Sequence, residues 1–198
     1  MKCLVVVAHP LPDSLCRSLA GFAAARLEAA GHEVTIEDLY GAGFAAALTD
    51  AERRSYYTAA FDASAMAGEV ARLTEAEALV LVFPTWWYGF PAILKGWFDR
   101  VWAPGVAFDH ASNFRPIKPR LKLRRVLAIT SLGSPWWIDT LVLWQPVRRI
   151  LHIAILGACA RGIRLNMLSL HSAEAPARER VARFEGRISN VLDRWPTR

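Results

Sequence analysis

Nine residues near the middle of the chain, Phe83-Pro84-Thr85-Trp86-Trp87-Tyr88-Gly89-Phe90-Pro91, set three large aromatics in succession between two prolines. Neighbouring residues face different ways, so the three rings cannot all enter a core, and at least one is left to line a pocket with its flat face. Seven of the eight tryptophans lie between residues 86 and 144: Trp86, Trp87, Trp97, Trp102, Trp136, Trp137 and Trp144. This clustering predicts stacking on a planar aromatic ligand, with the turn's own amides as donors. Trp97 and Trp102 are expected to be core filler instead.

Two further segments could supply polar contacts. His9-Pro10-Leu11-Pro12-Asp13-Ser14-Leu15-Cys16 leads from an apolar run into an Ala- and Leu-rich one. Free amides at a helix start, with the Ser14 hydroxyl and His9, could hold a phosphate there. A rigid capped turn accounts for the same residues, because neither a Gly-rich dinucleotide fingerprint nor a Gly-Lys-Ser/Thr phosphate loop is present. Thr130-Ser131-Leu132-Gly133-Ser134-Pro135-Trp136-Trp137 offers hydroxyls and a glycine turn for another ligand edge. The five histidines, His9, His32, His110, His152 and His171, are dispersed, no metal-ligand cluster stands out, and no serine nucleophile elbow occurs. Hydrolysis therefore has no residue set. No side chain is singled out as catalytic; a bound redox cofactor would carry the chemistry, with Trp86, Trp87 and Tyr88 as its aromatic wall.

The elements that must position these loops alternate. Residues 3–8 predict a buried strand, and a helix follows over 14–30, capped by Asp13 or Ser14 and ended by Gly31. His32 to Leu39 alternates like a strand with one wetter face. Residues 40–61 read as an excursion able to cover something, and a helix is expected near 62–75. Ala78 to Phe83 is apolar on both faces, as a central parallel strand should be, and Pro84 ends it. A helix over 91–102 has Pro91 in its first turn. A strand over 126–131, a long apolar helical region over 137–160, a strand over 163–170 and an amphipathic helix over 174–194 complete the series. The pattern is that of a doubly wound α/β fold, one domain over 1–198, with loops 9–16, 84–91 and 131–138 meeting at the carboxyl ends of a parallel sheet.

Composition sets the surroundings. Cys3, Cys16 and Cys159 are odd in number and far apart, which fits a reducing compartment, and the apolar N-terminal run is too short for a signal-peptide core or a membrane span; the cytoplasm is expected. The formal charge of +6 is uneven, with 8 basic and 12 acidic residues in 1–100 against 16 and 6 in 101–198. Six basic residues crowd between Arg115 and Arg125. This run reads as a solvated loop leading into a strand, or as a patch for a phosphorylated cofactor. No nucleic-acid module accompanies it. The 138–160 region carries more apolar side chains than one stripe against a sheet requires, which points to a second copy of the chain or to a local core beneath 40–61.

The stretch from Phe83 to Val101, with His9-Pro10 and the following Ser14, resembles the flavodoxin-like NAD(P)H:quinone oxidoreductases, including the short bacterial modulator-of-drug-activity and potassium-efflux ancillary proteins. The likeness covers residues 2–160. It implies a five-stranded parallel sheet in order 2-1-3-4-5 and a homodimer with active sites at the interface. It further implies a non-covalent flavin reduced by NAD(P)H and reoxidised by a quinone or similar flat acceptor. By the same resemblance the flavin phosphate lies against His9, Ser14, Leu15 and Cys16, the ring system on Pro84, Thr85, Trp86, Trp87 and Tyr88, and the pyrimidine edge on Thr130, Ser131, Leu132, Gly133 and Ser134. The short chain favours FMN over FAD, whose adenylate needs extra surface. The family's Thr-Thr-Gly-Gly is Thr130-Ser131-Leu132-Gly133 here, and its Tyr and His beside the flavin are replaced by Ile138 and Trp144. Other readings are a single-electron carrier, an ancillary subunit of a cation-efflux system with a membrane transporter as partner, and a flavin-free interaction module.

Overall fold

In the computed structural model, which describes residues 1–57, 61–110 and 117–196, the elements run β1 (Lys2–Val7), α1 (Leu15–Ala29), β2 (Glu33–Asp38), α2 (Asp50–Ser55), α3 (Ala67–Glu75), β3 (Ala78–Pro84) and α4 (Ala92–Val101). They continue with β4 (Phe108–Asp109), β5 (Lys118–Pro119), β6 (Arg125–Ser131), α5 (Pro146–Arg149), α6 (Gly157–Cys159), β7 (Arg164–Leu170) and α7 (Arg178–Leu192). Five strands form one parallel sheet in the order β2-β1-β3-β6-β7. Counting the sheet strands alone, this is the order 2-1-3-4-5. The small antiparallel pair β4–β5 stands outside it and was not foreseen in the sequence.

Strand periodicity builds the two cores. Successive side chains of a strand leave opposite faces, so Leu4, Val6, Leu79, Leu81 and Phe83 pack on one side with α4, whereas Val5, Val7, Val80 and Val82 pack on the other with α1 and α7. Trp97 and Trp102 are buried in the first cluster, as expected. Gly31 adopts φ +78 just past α1, where its amide donates to the Glu28 carbonyl and that of His32 reaches back to Leu27, closing the helix.

The excursion after β2 is pinned by buried polar groups; its residues 58–60 lie outside the described part. Arg100 of α4 grips the Glu52 carboxylate through Nε at 2.9 and 3.0 Å and Nη2 at 2.5 Å, and also donates to the Ala45 carbonyl. Glu52 closes a capping box at the same time, its Oε2 accepting from the Thr49 amide at 2.7 Å. Burial pushes the Glu52 carboxyl up, but Arg100 and Thr49 outweigh it and hold the group below the usual carboxylate range. A Cβ on Gly96 would collide with the Ala46 backbone, so glycine lets the excursion lie directly on α4.

The region 137–160 is not one helix. Trp144 and Gln145 take φ +56 and +51, and Pro146 then starts α5. Proline lacks an amide donor and clashes with the preceding turn, so a helix must restart there. Ile138–Val142 and Ile150–Leu156 form wide π-helical turns on either side. Two other helices start later than their sequence pattern predicts: α3 follows a short 3-10 turn at Ser64–Met66, and α7 begins at Arg178.

Candidate functional site

The loop after β1 ends in a helix cap. Ser14, at φ −69 and ψ 152, accepts from the Arg17 amide at 3.3 Å, so Ser14 rather than Asp13 caps α1. Its oxygen is used as an acceptor, which leaves its O–H to donate. Among the described residues the Leu15 and Cys16 amides at the helix start have no protein acceptor. His9 Nδ1 accepts from the Leu11 amide at 3.1 Å, which in the neutral ring puts the proton on Nε2. A hydroxyl, two amides and an imidazole N–H thus stand at the positive end of a helix, a donor set suited to a phosphate.

The aromatic loop is a tight turn. The Gly89 amide donates to the Trp86 carbonyl at 2.9 Å, and Trp87 and Tyr88 between them have φ +49 and +54. Two consecutive left-handed residues define a type I′ turn, which Asn, Asp and Gly ordinarily occupy. Trp87 is 100% exposed and Trp86 is 42% exposed, so burial does not explain why aromatic residues sit there. Held strain of this kind motivates a functional reading.

The loops are stitched to one another. Thr85 donates its amide to the Ser131 carbonyl at 2.8 Å, and its hydroxyl meets that of Thr130 at 2.6 Å. Cys16 Sγ lies 3.8 Å from Ser131 Oγ, and the His9 and Trp86 ring centres are 6.4 Å apart. Burial pushes the Cys16 thiol up to about 11, more than the Ser131 hydrogen bond pulls it down. Behind the loop, Ala173 and Ser172 donate amides to the Leu132 and Ser134 carbonyls at 2.9 and 3.0 Å, and Arg180 donates to the Ser172 carbonyl at 2.9 Å.

The structure therefore gathers His9, Ser14, Leu15, Cys16, Thr85, Trp86, Thr130 and Ser131 at the carboxyl ends of β1, β3 and β6, with Trp87 and Tyr88 at the turn tip and Pro84 buried beneath. Leu132 differs from expectation. It is buried and gives its amide to the Leu170 carbonyl at 2.9 Å, because pairing with the end of β7 continues one residue past β6. Gly133 is exposed and Ser134 half-buried, so these two remain for a ligand edge. The reading of the basic run as part of a cofactor site is also not supported: Arg115 and Pro116 lie outside the described residues, Arg120 pairs with Asp109, and Arg125 begins β6 at the opposite end of the sheet.

Sequence reasoning missed one pair. Asp139, buried just after the loop, lies 3.3 Å from Nε2 of His171, which follows β7. The two are 32 positions apart, and no spacing rule links them. Of the two positions where the resembling family has Tyr and His, Ile138 is half-buried and Trp144 exposed. No group of three metal-ligating side chains and no helix long and apolar enough to cross a membrane occurs among the described residues.

Residues 1–154 match a family model described as flavodoxin-like fold. NAD(P)H dehydrogenase [quinone] 1 of Cavia porcellus is 27% identical over 98% of this chain and 78% of its own length. A ribosyldihydronicotinamide dehydrogenase-like protein of Penicillium crustosum is 36% identical over 68% of this chain, and the chain spans 58% of that relative's length. Among solved structures, an NAD(P)H:quinone oxidoreductase from Methanothermobacter marburgensis superposes with a TM-score of 0.85 over 97% of this chain and 95% of that one; at 23% identity the likeness is one of fold.

Proposed function

Taking as premise that this chain belongs to the flavodoxin-like fold family, we propose that it is a flavin-dependent NAD(P)H:quinone oxidoreductase. The observation that carries the reading is the convergence of three loops at one sheet end, with a phosphate-suited helix start on one side and a strained, exposed aromatic turn on the other. Names borne by the relatives support the same class.

The residues fit FMN. Its single phosphate matches the Ser14 hydroxyl, the Leu15 and Cys16 amides and His9; the flat ring matches Trp86, Trp87 and Tyr88; Ser131, Gly133 and Ser134 offer polar groups for an edge. When bound, a flavin accepts hydride from a nicotinamide and delivers two electrons to an acceptor. The chain's part is alignment. The aromatic turn presents exposed rings, beside which nicotinamide and quinone would be aligned in turn. With Ile138 and Trp144 where the family has Tyr and His, negative charge at the site would be met by main-chain amides and helix ends rather than by a side-chain acid.

In this reading residues 1–198 act as one flavin-binding domain in the cytoplasm, which suits three free, buried cysteines. A second copy of the chain covers the exposed Leu141, Val142, Trp144, Ile150 and Ile153.

Titration of the purified protein with FMN should quench flavin fluorescence, and NAD(P)H oxidation should accelerate when a benzoquinone is added. Protein that ignores added FMN would overturn the proposal. The mass of any cofactor extracted should be that of FMN.

A further inference from the structure

The carboxyl end of the basic run, Arg124 and Arg125, lies at the end of the sheet opposite the loops just described. β6 extends from Arg125 to Ser131, about 20 Å at the usual rise per residue, so Arg124 and Arg125 stand at the amino end of the sheet. There Arg125 pairs in register with Arg164 of β7, and the Arg164 amide donates to the Arg124 carbonyl at 3.1 Å. Residues in register on adjacent strands share a face at about 5 Å, and like charges so placed destabilise a sheet. No ion pair engages Arg124, Arg125 or Arg164 among the described residues.

These arginines line a cavity of about 420 Å³ together with Met1, Glu77, Gly162 and Pro196. That volume is within the range of small-molecule sites. Glu77 Oε2 accepts from the Lys2 amide at 3.1 Å, so this carboxylate is already engaged. Among the lining side chains three guanidinium groups stand against one carboxylate, a surplus of two positive charges, to which the Met1 α-ammonium adds a third.

We propose that this cavity binds a small phosphorylated anion carrying at least two negative charges, held by Arg124, Arg125 and Arg164. Guanidinium forks match phosphate oxygens in pairs, and one diphosphate group can neutralise the surplus while relieving the Arg125–Arg164 repulsion. The site lies at the end of the sheet opposite the flavin loops, so it can be filled with the other site occupied, and it does not depend on the flavin reading.

The test is thermal unfolding with inorganic pyrophosphate, against sodium chloride at matched ionic strength, in the presence of saturating FMN. Pyrophosphate at roughly ten times its dissociation constant should raise Tm by about 3–5 °C, and chloride should not. R125Q and R164Q should each abolish the shift. Without pyrophosphate at least one of the two should melt no lower than the parent chain, because the repulsion is gone. S14A, altered at the other end of the sheet, should keep the shift. An equal rise with chloride, a shift that survives in both arginine variants, or a shift lost in S14A would overturn the site.

Discussion

Replacing Trp87 by Asn should stabilise the fold and impair turnover. Trp87 stands at φ +49 in a turn whose two central residues are both left-handed. For a residue with a bulky side chain that conformation costs about 1–2 kcal/mol, a penalty that Asn largely escapes. The ring is 100% exposed, so its removal takes no apolar area out of the core. The net expectation is a gain of about 1 kcal/mol, or a Tm rise of about 2–4 °C for a chain of this size. Most substitutions destabilise, so the sign alone is informative. Tyr88 is a poorer probe, because it is half-buried and its loss would mix strain relief with lost packing. Melting of the flavin-free protein gives the first quantity, and kcat/KM for NAD(P)H with a benzoquinone gives the second. Loss of one stacking ring should lower kcat/KM by about 2–10-fold. A W87N protein that melts below the parent would refute the strain argument, and a stabilised variant with unchanged kcat/KM would remove Trp87 from the ligand wall.

Ser14→Ala should weaken FMN binding by about 5–10-fold by fluorescence titration, while costing the flavin-free protein only about 1 kcal/mol in denaturant for the lost cap. Glu52→Ala leaves Arg100 buried without its carboxylate and should cost about 3–5 kcal/mol by urea unfolding, whereas E52L/R100M should recover most of that loss. Because the Glu52 pKa is depressed in the folded state, its stabilisation is full above the unfolded value of about 4.3 and is lost as pH falls through the lower folded value. The parent's urea midpoint should accordingly drop more steeply below about pH 4 than that of E52L/R100M. Light scattering should give twice the 22.0 kDa chain mass if a second copy covers the 138–160 surface; a stable monomer with full activity would count against that interface.

Much of the architecture could be read from residue order because its physics is local. Period two in β2 marked a strand with one wetter face, which stands at the sheet edge, unbroken apolarity in β1 and β3 marked buried strands, and Gly31 marked a helix end. The first and third loops were legible for the same reason, each being a strand-to-helix turn of unusual composition. Where reading failed, the determinant was either overlooked or distant. Pro146 was visible inside the apolar 137–160 run and should have broken it, but apolar content outweighed backbone geometry. The inward turn of Leu132 depends on a strand 38 positions later, through its bond to Leu170. Asp139–His171 and Glu52–Arg100 are long-range polar pairs, and a single sequence gives no rule for matching such partners.

Cys16 has a bearing on durability under the proposed chemistry. Quinones are electrophiles as well as oxidants, and they alkylate thiolates. A sulfur stands directly beside Ser131 at the mouth, yet it is 3% exposed and its pKa is near 11. At neutral pH only about one molecule in ten thousand carries the reactive anion there. Cys3 and Cys159, raised by burial to about 11 and 12, are equally inert. The packing that fills the space behind the α1 cap therefore also guards against suicide inactivation: in the proposed chemistry an acceptor can visit through many cycles without finding a thiolate to trap it.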